Sequence, residues 1–375
     1  MDRGSKTRKL VLRKQENRFD RVLAVLVFAL TIFGLLMVAD ASSVRAELIF
    51  GDKLFFARQQ AIAAGIGLAG FIVASFIPLV FWRKVAVPFF LVTLVLLVLV
   101  LIPGIGVQAL GARRWINISG FTFQPGEIVK LSLILYLARL FDQRSTVNLL
   151  PFFFATAVVA GLVVAEPDLG TATILVASAF SVFFMSGAPI ELFLILLPVI
   201  GVIGAFLVWV SPYRRERLLN FLGSIVDPLQ SSYHTSQVLL ALAGGGLLGV
   251  GLGQSRSKYL FLPEAANDSI FAVIAEELGF VGIVALLGVF VLLISRIFRI
   301  SLNCSNVFAK LVAGGIATWI GIQTFINVAA MTATLPITGI PLPFISYGGT
   351  SLVVVLLSCG IVLRISREKA SLVVK

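Results

Sequence analysis

A small number of ionisable side chains lie within or beside long apolar runs of this sequence. Glu127 and Lys130 are three residues apart, Glu276 is followed directly by Glu277, and Asp268 stands shortly before these two acids. An ionisable group inside a bilayer costs about 2.5–3.5 kcal/mol on insertion scales, so each is a candidate for a functional site. Such groups transfer protons or stabilise charge that develops on a substrate.

Each of these residues also has a structural interpretation. The spacing of Glu127 and Lys130 places them on one helix face, which predicts either a buried, mutually neutralising pair or groups that face a substrate. Asp268 could cap the helix that follows it, or it could hold a general base at the membrane–water boundary. Adjacent helix residues point about 100° apart, so for Glu276 and Glu277 we expect structural pairing, with Lys130 as the candidate partner of one of them.

Two arginine clusters stand next to aromatic residues at the ends of apolar runs. They consist of Arg113 and Arg114 before Trp115, and of Arg214, Arg215 and Arg217 after Pro212-Tyr213. The planar guanidinium offers parallel donors that suit a diphosphate. Contact with anionic lipid or a polar rim is the structural alternative, and the neighbouring aromatic residues fit an interfacial belt in either case.

The run from Gly244 to Gly253 superficially resembles a phosphate-binding loop. No strand precedes it and no Gly-Lys-Ser/Thr ends it, so a nucleotide site is not indicated. Glycines that allow close backbone approach are the better explanation.

The composition places these residues in a membrane protein. Of 375 residues, 59% are hydrophobic and 13% charged, against about 45–50% and about 25% in soluble proteins. Two cysteines and one histidine exclude a disulfide scaffold and argue against a zinc site. We therefore predict an all-α polytopic membrane protein.

Apolar runs between polar breaks predict about ten transmembrane helices. They are Val22–Ala39, Ala61–Ile77, Val85–Ile102, Ile128–Phe141, Leu149–Ala165, Leu169–Ser186, Pro189–Val210, Ile270–Ile294, Phe308–Met331 and Ser346–Leu363. Ten spans place both termini on one side, and the basic N-terminal tail indicates that this side is the cytoplasm. The net charge of +12 then follows from topology and requires no nucleic acid.

The predicted organisation is a basic cytoplasmic tail (1–21), one ten-helix transmembrane domain (22–364) and a short cytoplasmic tail (365–375). The irregular segments lie outside, at Ile102–Gly126 and in a long connection from Ser211 to Ser269 (211–269) between the seventh and eighth helices. Loops of this length usually have a function. We expect a half-inserted helix, Tyr233–Leu248, within the second loop.

Several motifs together resemble the SEDS family of integral-membrane peptidoglycan glycosyltransferases (shape, elongation, division and sporulation). The matching segments are Gly111-Ala112-Arg113-Arg114-Trp115-Ile116, Gln124-Pro125-Gly126-Glu127 with Lys130, Glu166-Pro167-Asp168-Leu169-Gly170-Thr171, Tyr233-His234-Thr235-Ser236-Gln237, Gly253-Gln254-Ser255, Leu262-Pro263-Glu264-Ala265, Ile270-Phe271-Ala272-Val273, Glu276-Glu277-Leu278-Gly279, Asn327 and Leu342-Pro343-Phe344-Ile345-Ser346-Tyr347-Gly348-Gly349. The resemblance extends from about Asp20 to Arg367 and is nearest to the division branch of the family. The sequence differs from the usual pattern of the family at three places: Gly126, Asn267-Asp268-Ser269 and Gln230-Ser231-Ser232.

The resemblance implies an enzyme that polymerises lipid II on the outer face of the bacterial cytoplasmic membrane, at the division septum, with Asp268 as the catalytic residue. An elongation-type polymerase, a lipid II flippase and a non-catalytic scaffold are the alternatives. The expected substrate-binding residues are Arg113, Arg114, Glu127, Lys130, Arg214, Arg215, Tyr233, Glu264 and Ser346.

An inverting transfer needs one base and a stabilised diphosphate leaving group. We therefore expect no organic cofactor and allow for a divalent cation, Mg²⁺ or Mn²⁺. The implied partners are a class B penicillin-binding protein, which is a transpeptidase, other membrane proteins of the division machinery, and membrane lipid.

Overall fold

The computed structural model describes residues 19–109, 112–118, 120–142, 149–226 and 232–368. Within them the elements are α1 (Arg21–Phe50), α2 (Phe55–Phe76), α3 (Leu79–Leu101), β1 (Gly106–Ala109), β2 (Ala112–Ile118), β3 (Phe121–Phe123), α4 (Pro125–Asp142), α5 (Leu149–Ala165), α6 (Leu169–Met185), α7 (Ile190–Val210), α8 (Pro212–Val226), α9 (Tyr233–Gly245), α10 (Ile270–Leu302), α11 (Val307–Met331) and α12 (Gly349–Ile365). The basic tail up to residue 18, the C-terminal residues from 369, and the departure at Gln230-Ser231 lie outside the described residues.

The mostly helical fold predicted from the sequence is confirmed. Each of the ten predicted apolar runs overlaps one helix, namely α1 to α7 and α10 to α12. Six of these helices, α1, α2, α3, α7, α10 and α11, are long and apolar enough to cross a membrane. Helices α5, α6 and α12 are apolar but have only 17 residues each.

The prediction of an all-α fold is wrong in one segment, because Ile102–Gly126 contains a three-stranded antiparallel sheet in the order β1-β2-β3. Strands β2 and β3 pair with Ile116 opposite Phe123 and Ile118 opposite Phe121. β-branched and aromatic residues favour such pairing. The connection is tightened by Asn117, whose Oδ1 accepts the backbone N–H of Gly120 at 3.0 Å.

The long loop between α7 and α10 also differs from the prediction. It contains an unpredicted helix, α8, which starts at Pro212 and carries Arg214, Arg215 and Arg217 on its first two turns. Proline is favoured at the first helical position because it lacks an N–H that would have no partner there. The predicted helix Tyr233–Leu248 is present as α9 but ends at Gly245, where Gly246 takes a positive φ of 52°.

Helix α11 lies at the centre of the bundle, in contact with α10, α6 and α4, and α12 packs along α2. Most of the side chains of α11 are buried. Helix α7 is the opposite case, since none of its side chains is buried. An apolar helix without buried side chains is expected to face lipid, so α11 is the internal helix of the bundle and α7 a peripheral one.

Helix α10 is interrupted at Gly279, and the glycine-rich run Gly244 to Gly253 packs against this interruption. Gly279 leaves the helical conformation (φ 66°, ψ −170°). The N–H groups of Phe280 and Val281 donate to the carbonyls of Gly246 and Leu247 at 2.9 and 3.1 Å. A Cβ on Gly249 would lie 2.1 Å from the carbonyl oxygen of Glu277, so only glycine permits this approach. The close-packing interpretation of the run is therefore confirmed.

Candidate active site around Asp268

Asp268 stands at the N-terminal start of α10, two residues before the first helical residue Ile270. The N-cap residue is Ser269, which makes no side-chain cap hydrogen bond, so the capping interpretation of Asp268 is not confirmed. The main-chain carbonyl of Asp268 accepts the side-chain N–H of Asn327 at 2.9 Å. Its Oδ1 is buried and has no hydrogen-bond partner, which leaves this oxygen available to accept a proton.

The electrostatic surroundings make Asp268 a stronger base than an ordinary aspartate. Burial is the largest effect and raises its pKa from 3.8 to about 6; Glu264 also raises it, whereas Arg217 and nearby backbone N–H groups lower it. His234 lies close by, with Nε2 2.7 Å from the hydroxyl of Ser269. Burial lowers the pKa of His234, and Arg217 lowers it further, against an opposing effect of Glu264. At neutral pH, Asp268 is therefore mostly ionised and His234 neutral.

A second polar cluster lies where α5 gives way to α6. Arg114 donates through Nε to the carbonyl of Glu166 at 3.1 Å, and its Nη1 lies 3.9 Å from Oδ2 of Asp168. Arg214 reaches the same turn from α8, because Nη2 donates to the carbonyl of Val164 at 3.3 Å. One arginine from each sequence cluster therefore meets at this turn, although the two are 100 residues apart.

Glu166 is the unusual member of this cluster. Only 1% of the residue is exposed, and neither carboxylate oxygen has a hydrogen-bond partner. Burial, followed by repulsion from Asp168, raises its pKa to about 8 despite the opposing effect of Arg114. Glu166 is therefore a neutral carboxylic acid at pH 7.

The connection between α11 and α12 touches both clusters. The carbonyl of Ile337 accepts a hydrogen bond from Nη1 of Arg217 at 3.0 Å, and the carbonyl of Ile340 accepts one from Asn327 at 2.7 Å. A Cβ on Gly339 would lie 3.7 Å from Oδ2 of Asp268, and one on Gly170 would lie 2.8 Å from the side chain of Ile340. Residues 337–341 therefore separate Asp268 from the start of α6.

Glu127 and Lys130 form the buried pair that their spacing suggested. Nζ of Lys130 donates to Glu127 at 2.8 Å and to Oε1 of Gln323 at 2.9 Å, and it lies 5.0 Å from the ring centroid of Trp319. Gln323 in turn donates to the carbonyl of Pro341 at 2.9 Å. The pair is buried within the bundle and is linked through Gln323 to the last residue of segment 337–341, which favours a supporting role.

The sequence matches the FtsW/RodA/SpoVE family model, described as a cell cycle protein, over residues 20–371. The chain belongs to this family. It is 40% identical over 363 residues to a probable peptidoglycan glycosyltransferase FtsW of Geobacter sulfurreducens, covering 94% of this chain and 96% of the relative. It is 39% identical to stage V sporulation protein E of Bacillus subtilis, covering 93% and 97%. The resemblance to the SEDS family is thereby confirmed.

Solved structures of family members have the same fold. A chain of a peptidoglycan synthase complex, described for its coordination of polymerization and crosslinking, is 30% identical with a TM-score of 0.77, covering 93% of this chain and 98% of that one. The rod shape determining protein RodA of Thermus thermophilus is 28% identical with a TM-score of 0.70, covering 94% and 97%. The similarity therefore extends over nearly the whole length of each protein.

The remaining predicted site residues of this family member are not all near Asp268. Glu264 is near it and pairs with Arg45 at 3.1 Å. Arg215 lies over the ring of Trp209 at 5.8 Å, and Tyr233 is an exposed residue at the start of α9. The Ser346 hydroxyl is used within the fold, since it accepts the N–H of Leu342 at 2.7 Å. Arg113 is half-buried in β2 and has no polar partner among the described residues.

The expected pairing of Glu276 or Glu277 with Lys130 is wrong. Lys130 is occupied by Glu127, and the partner of Glu277 is Lys258, whose Nζ lies 3.1 Å from Oε1. Sequence distance hid this partner, because Lys258 lies in the loop and reaches α10 only when the loop folds back over it.

Three residues near Asp268 were not among the expected site residues: Arg217, His234 and Asn327. Arg217 belongs to the second arginine cluster of the sequence, and its spacing from Arg214 would have placed both on one helix face had the helix there been predicted. Asn327 is a polar residue within the apolar run of α11, which is itself a signal. Among the described residues, no three His, Cys, Asp or Glu side chains form a group that could hold a metal ion.

Proposed function

We propose that this chain is a peptidoglycan glycosyltransferase that polymerises lipid II on the outer face of the cytoplasmic membrane during septal wall synthesis, with Asp268 as the general base. Relatives named FtsW carry the words peptidoglycan glycosyltransferase. The observation that supports the base is the combination of a buried Asp268 oxygen without a partner and a pKa raised to about 6.

In the proposed reaction, the hydroxyl of one lipid-linked disaccharide attacks the anomeric carbon of another. Asp268 accepts the hydroxyl proton, the new glycosidic bond forms, and the bond from the anomeric carbon to undecaprenyl diphosphate breaks with inversion. No second carboxylic acid is required if cations stabilise the departing diphosphate, unlike the acid–base pair of a glycosidase.

The cations proposed for the diphosphate are arginines of the two clusters. Arg113, in β2, is half-buried. Among the residues that the structure describes, it has no polar partner to be displaced, and Arg215 and Arg217 engage only aromatic rings and a backbone carbonyl. Arg114 and Arg214 donate hydrogen bonds to backbone carbonyls. They would therefore hold the turn between α5 and α6 as well as contribute positive charge. A Mg²⁺ or Mn²⁺ ion carried mainly by the diphosphate is part of the proposal, and no organic cofactor is needed.

The proposed topology has ten spans, cytoplasmic termini and an outer loop at 211–269. The domain limits remain a basic tail at 1–21, a transmembrane domain at 22–364 and a short tail at 365–375. The proposed partner is a class B penicillin-binding protein, since a family structure belongs to a complex that couples polymerization and crosslinking, together with division membrane proteins and lipid. The division branch is favoured over the elongation branch because many of the similar relatives are named FtsW.

The deciding experiment supplies labelled lipid II to the purified protein, with and without its transpeptidase partner. Asp268→Asn is the test variant and Glu191→Gln, at an exposed acid at the start of α7, is the matched control. We expect polymer from the wild type and the control and none from Asp268→Asn. Polymer from Asp268→Asn at the wild-type rate would refute the base, and lipid II translocation without polymer would establish a flippase instead.

A further inference from the structure

We propose that Lys258 is a positioning residue for the active site, and that through Asp40 it makes α1 part of the support that holds Asp268 in place. This inference rests on the proposed function. No charged contact joins Lys258 to Asp268 directly, so the argument depends on how the loop between Gly246 and Ser269 is fixed.

Lys258 is a buried ammonium held at three points. Nζ lies 2.6 Å from Oδ1 of Asp40 on α1, 3.1 Å from Oε1 of Glu277 on α10, and 2.7 Å from the carbonyl of Gly253 in its own loop. Only 4% of its side chain is exposed. Burial alone would lower its pKa, but the hydrogen bonds to Asp40 and Glu277 outweigh burial and raise it, so the side chain remains charged.

The neighbouring acid, Glu276, fixes the same part of the loop. Its carboxylate accepts the hydroxyl of Ser255 at 2.5 Å and the backbone N–H groups of Arg256 and Ser257 at 3.0 and 3.2 Å. Two acids buried on α10 are therefore used to hold residues 255–258, although neither touches the reacting groups.

The loop then runs to Asp268 in a chain of tight turns. The N–H of Leu262 donates to the carbonyl of Ser257 at 3.0 Å, and that of Asn267 donates to the carbonyl of Glu264 at 2.9 Å. Leu260 and Glu264 have positive φ values of 68° and 49°, which are unfavourable for residues with a side chain. Such turns persist only when both ends are held, and Lys258 holds the end opposite Asp268.

Asp40 connects Lys258 to a helix outside the loop. It belongs to α1, the helix that also carries Arg45, whose Nη1 pairs with Glu264 at 3.1 Å. Both contacts join the outer part of α1 to the loop that carries Asp268. A displacement of α1 would therefore move the loop, and with it the base.

The test compares Lys258→Gln, Lys258→Arg and Asp40→Asn, with Lys53→Gln as the matched control. Lys53 is an exposed lysine just beyond α1 that pairs with Glu47. For each purified variant, kcat and KM for lipid II, the pH–rate profile and the melting temperature are measured, with rates taken well below the melting temperature.

For Lys258→Gln we expect kcat to fall about 100-fold, the effect of misplacing a catalytic group by about 1 Å, while KM changes less than about threefold. The acid limb of the pH–rate profile should move below pH 6, because a displaced Asp268 gains water while Glu264, Arg217 and His234 around it are unchanged. Lys258→Arg should recover at least a tenth of the wild-type kcat. Asp40→Asn, which leaves Glu277 to hold the lysine, should fall between Lys258→Gln and the wild type.

A purely structural role predicts a different result. If the melting temperature falls but kcat and the acid limb stay at wild-type values, the inference is overturned. If Lys258→Gln does not fold, Asp40→Asn and Lys258→Arg decide by the same criteria. Failure of the proposed function is recognised separately, because the wild type would then make no polymer at all.

Discussion

Asp268, the proposed base, is expected to lower the stability of the folded protein. The pKa of Asp268 is raised from 3.8 to about 6, chiefly by burial, and each pKa unit corresponds to about 1.4 kcal/mol. This pKa shift corresponds to a destabilisation of the folded state by about 3 kcal/mol, or by about 2 kcal/mol once partial exposure of the residue is allowed for. Because the folded state holds the proton more tightly, the penalty develops as pH rises from 4 to 6 and is complete above pH 6.

Asp268→Asn should therefore abolish polymer formation and raise stability at the same time. At pH 8 we expect a gain of about 2 kcal/mol, or a few degrees in melting temperature, and the gain should disappear near pH 4. The assay is thermal unfolding in detergent at both pH values, beside lipid II polymerisation, with Glu191→Gln as the control. A loss of stability at pH 8, or an equal change at pH 4 and pH 8, would refute the electrostatic reasoning.

Three further predictions concern Lys130, Glu166 and Arg113. Lys130→Met should destabilise the fold by about 3–5 kcal/mol, because Glu127 is left as an unpaired buried charge; the double variant with Glu127→Gln should recover most of that loss in thermal unfolding. Glu166→Gln should match the wild type in melting temperature near pH 4 and exceed it increasingly up to pH 8, since the unfolded carboxyl ionises above its ordinary pKa of 4.5 whereas the buried one keeps its proton until about pH 8; a constant difference would contradict this. Arg113→Gln should raise KM for lipid II without changing the melting temperature, and a drop in melting temperature would assign Arg113 to the fold.

The sequence predicted the parts of this molecule that depend on local spacing. The apolar runs marked ten helices, the i,i+3 spacing paired Glu127 with Lys130, and the polar break before Ile270 placed Asp268 at the start of α10. Each of these inferences uses residues within a few turns of each other. Helix periodicity and the bilayer thickness constrain such residues without knowledge of the fold.

The parts that were missed depend on partners distant in sequence. The break at Gly279 is hidden because the apolar run continues through it, and the freed backbone groups of α10 are satisfied by residues 246–251. Backbone in an apolar environment must find such partners, but hydropathy does not say where they are. Lys258 was assigned to no partner for the same reason. The three-stranded sheet was missed because two of its strands have only three or four residues.

The different environments of Asp268 and Glu166 are the reason that Asp268 is the proposed base. A general base must be ionised at the working pH, yet a higher pKa makes it more effective, so the best value lies just below that pH. Asp268, with a pKa of about 6, is about nine-tenths ionised at pH 7, whereas Glu166, with a pKa of about 8, is mostly protonated. The two assignments predict acid limbs near pH 6 and pH 8 in the rate profile. A limb near pH 6 that vanishes in Asp268→Asn and persists in Glu166→Gln is the expected result, and a limb near pH 8 would transfer the role to Glu166.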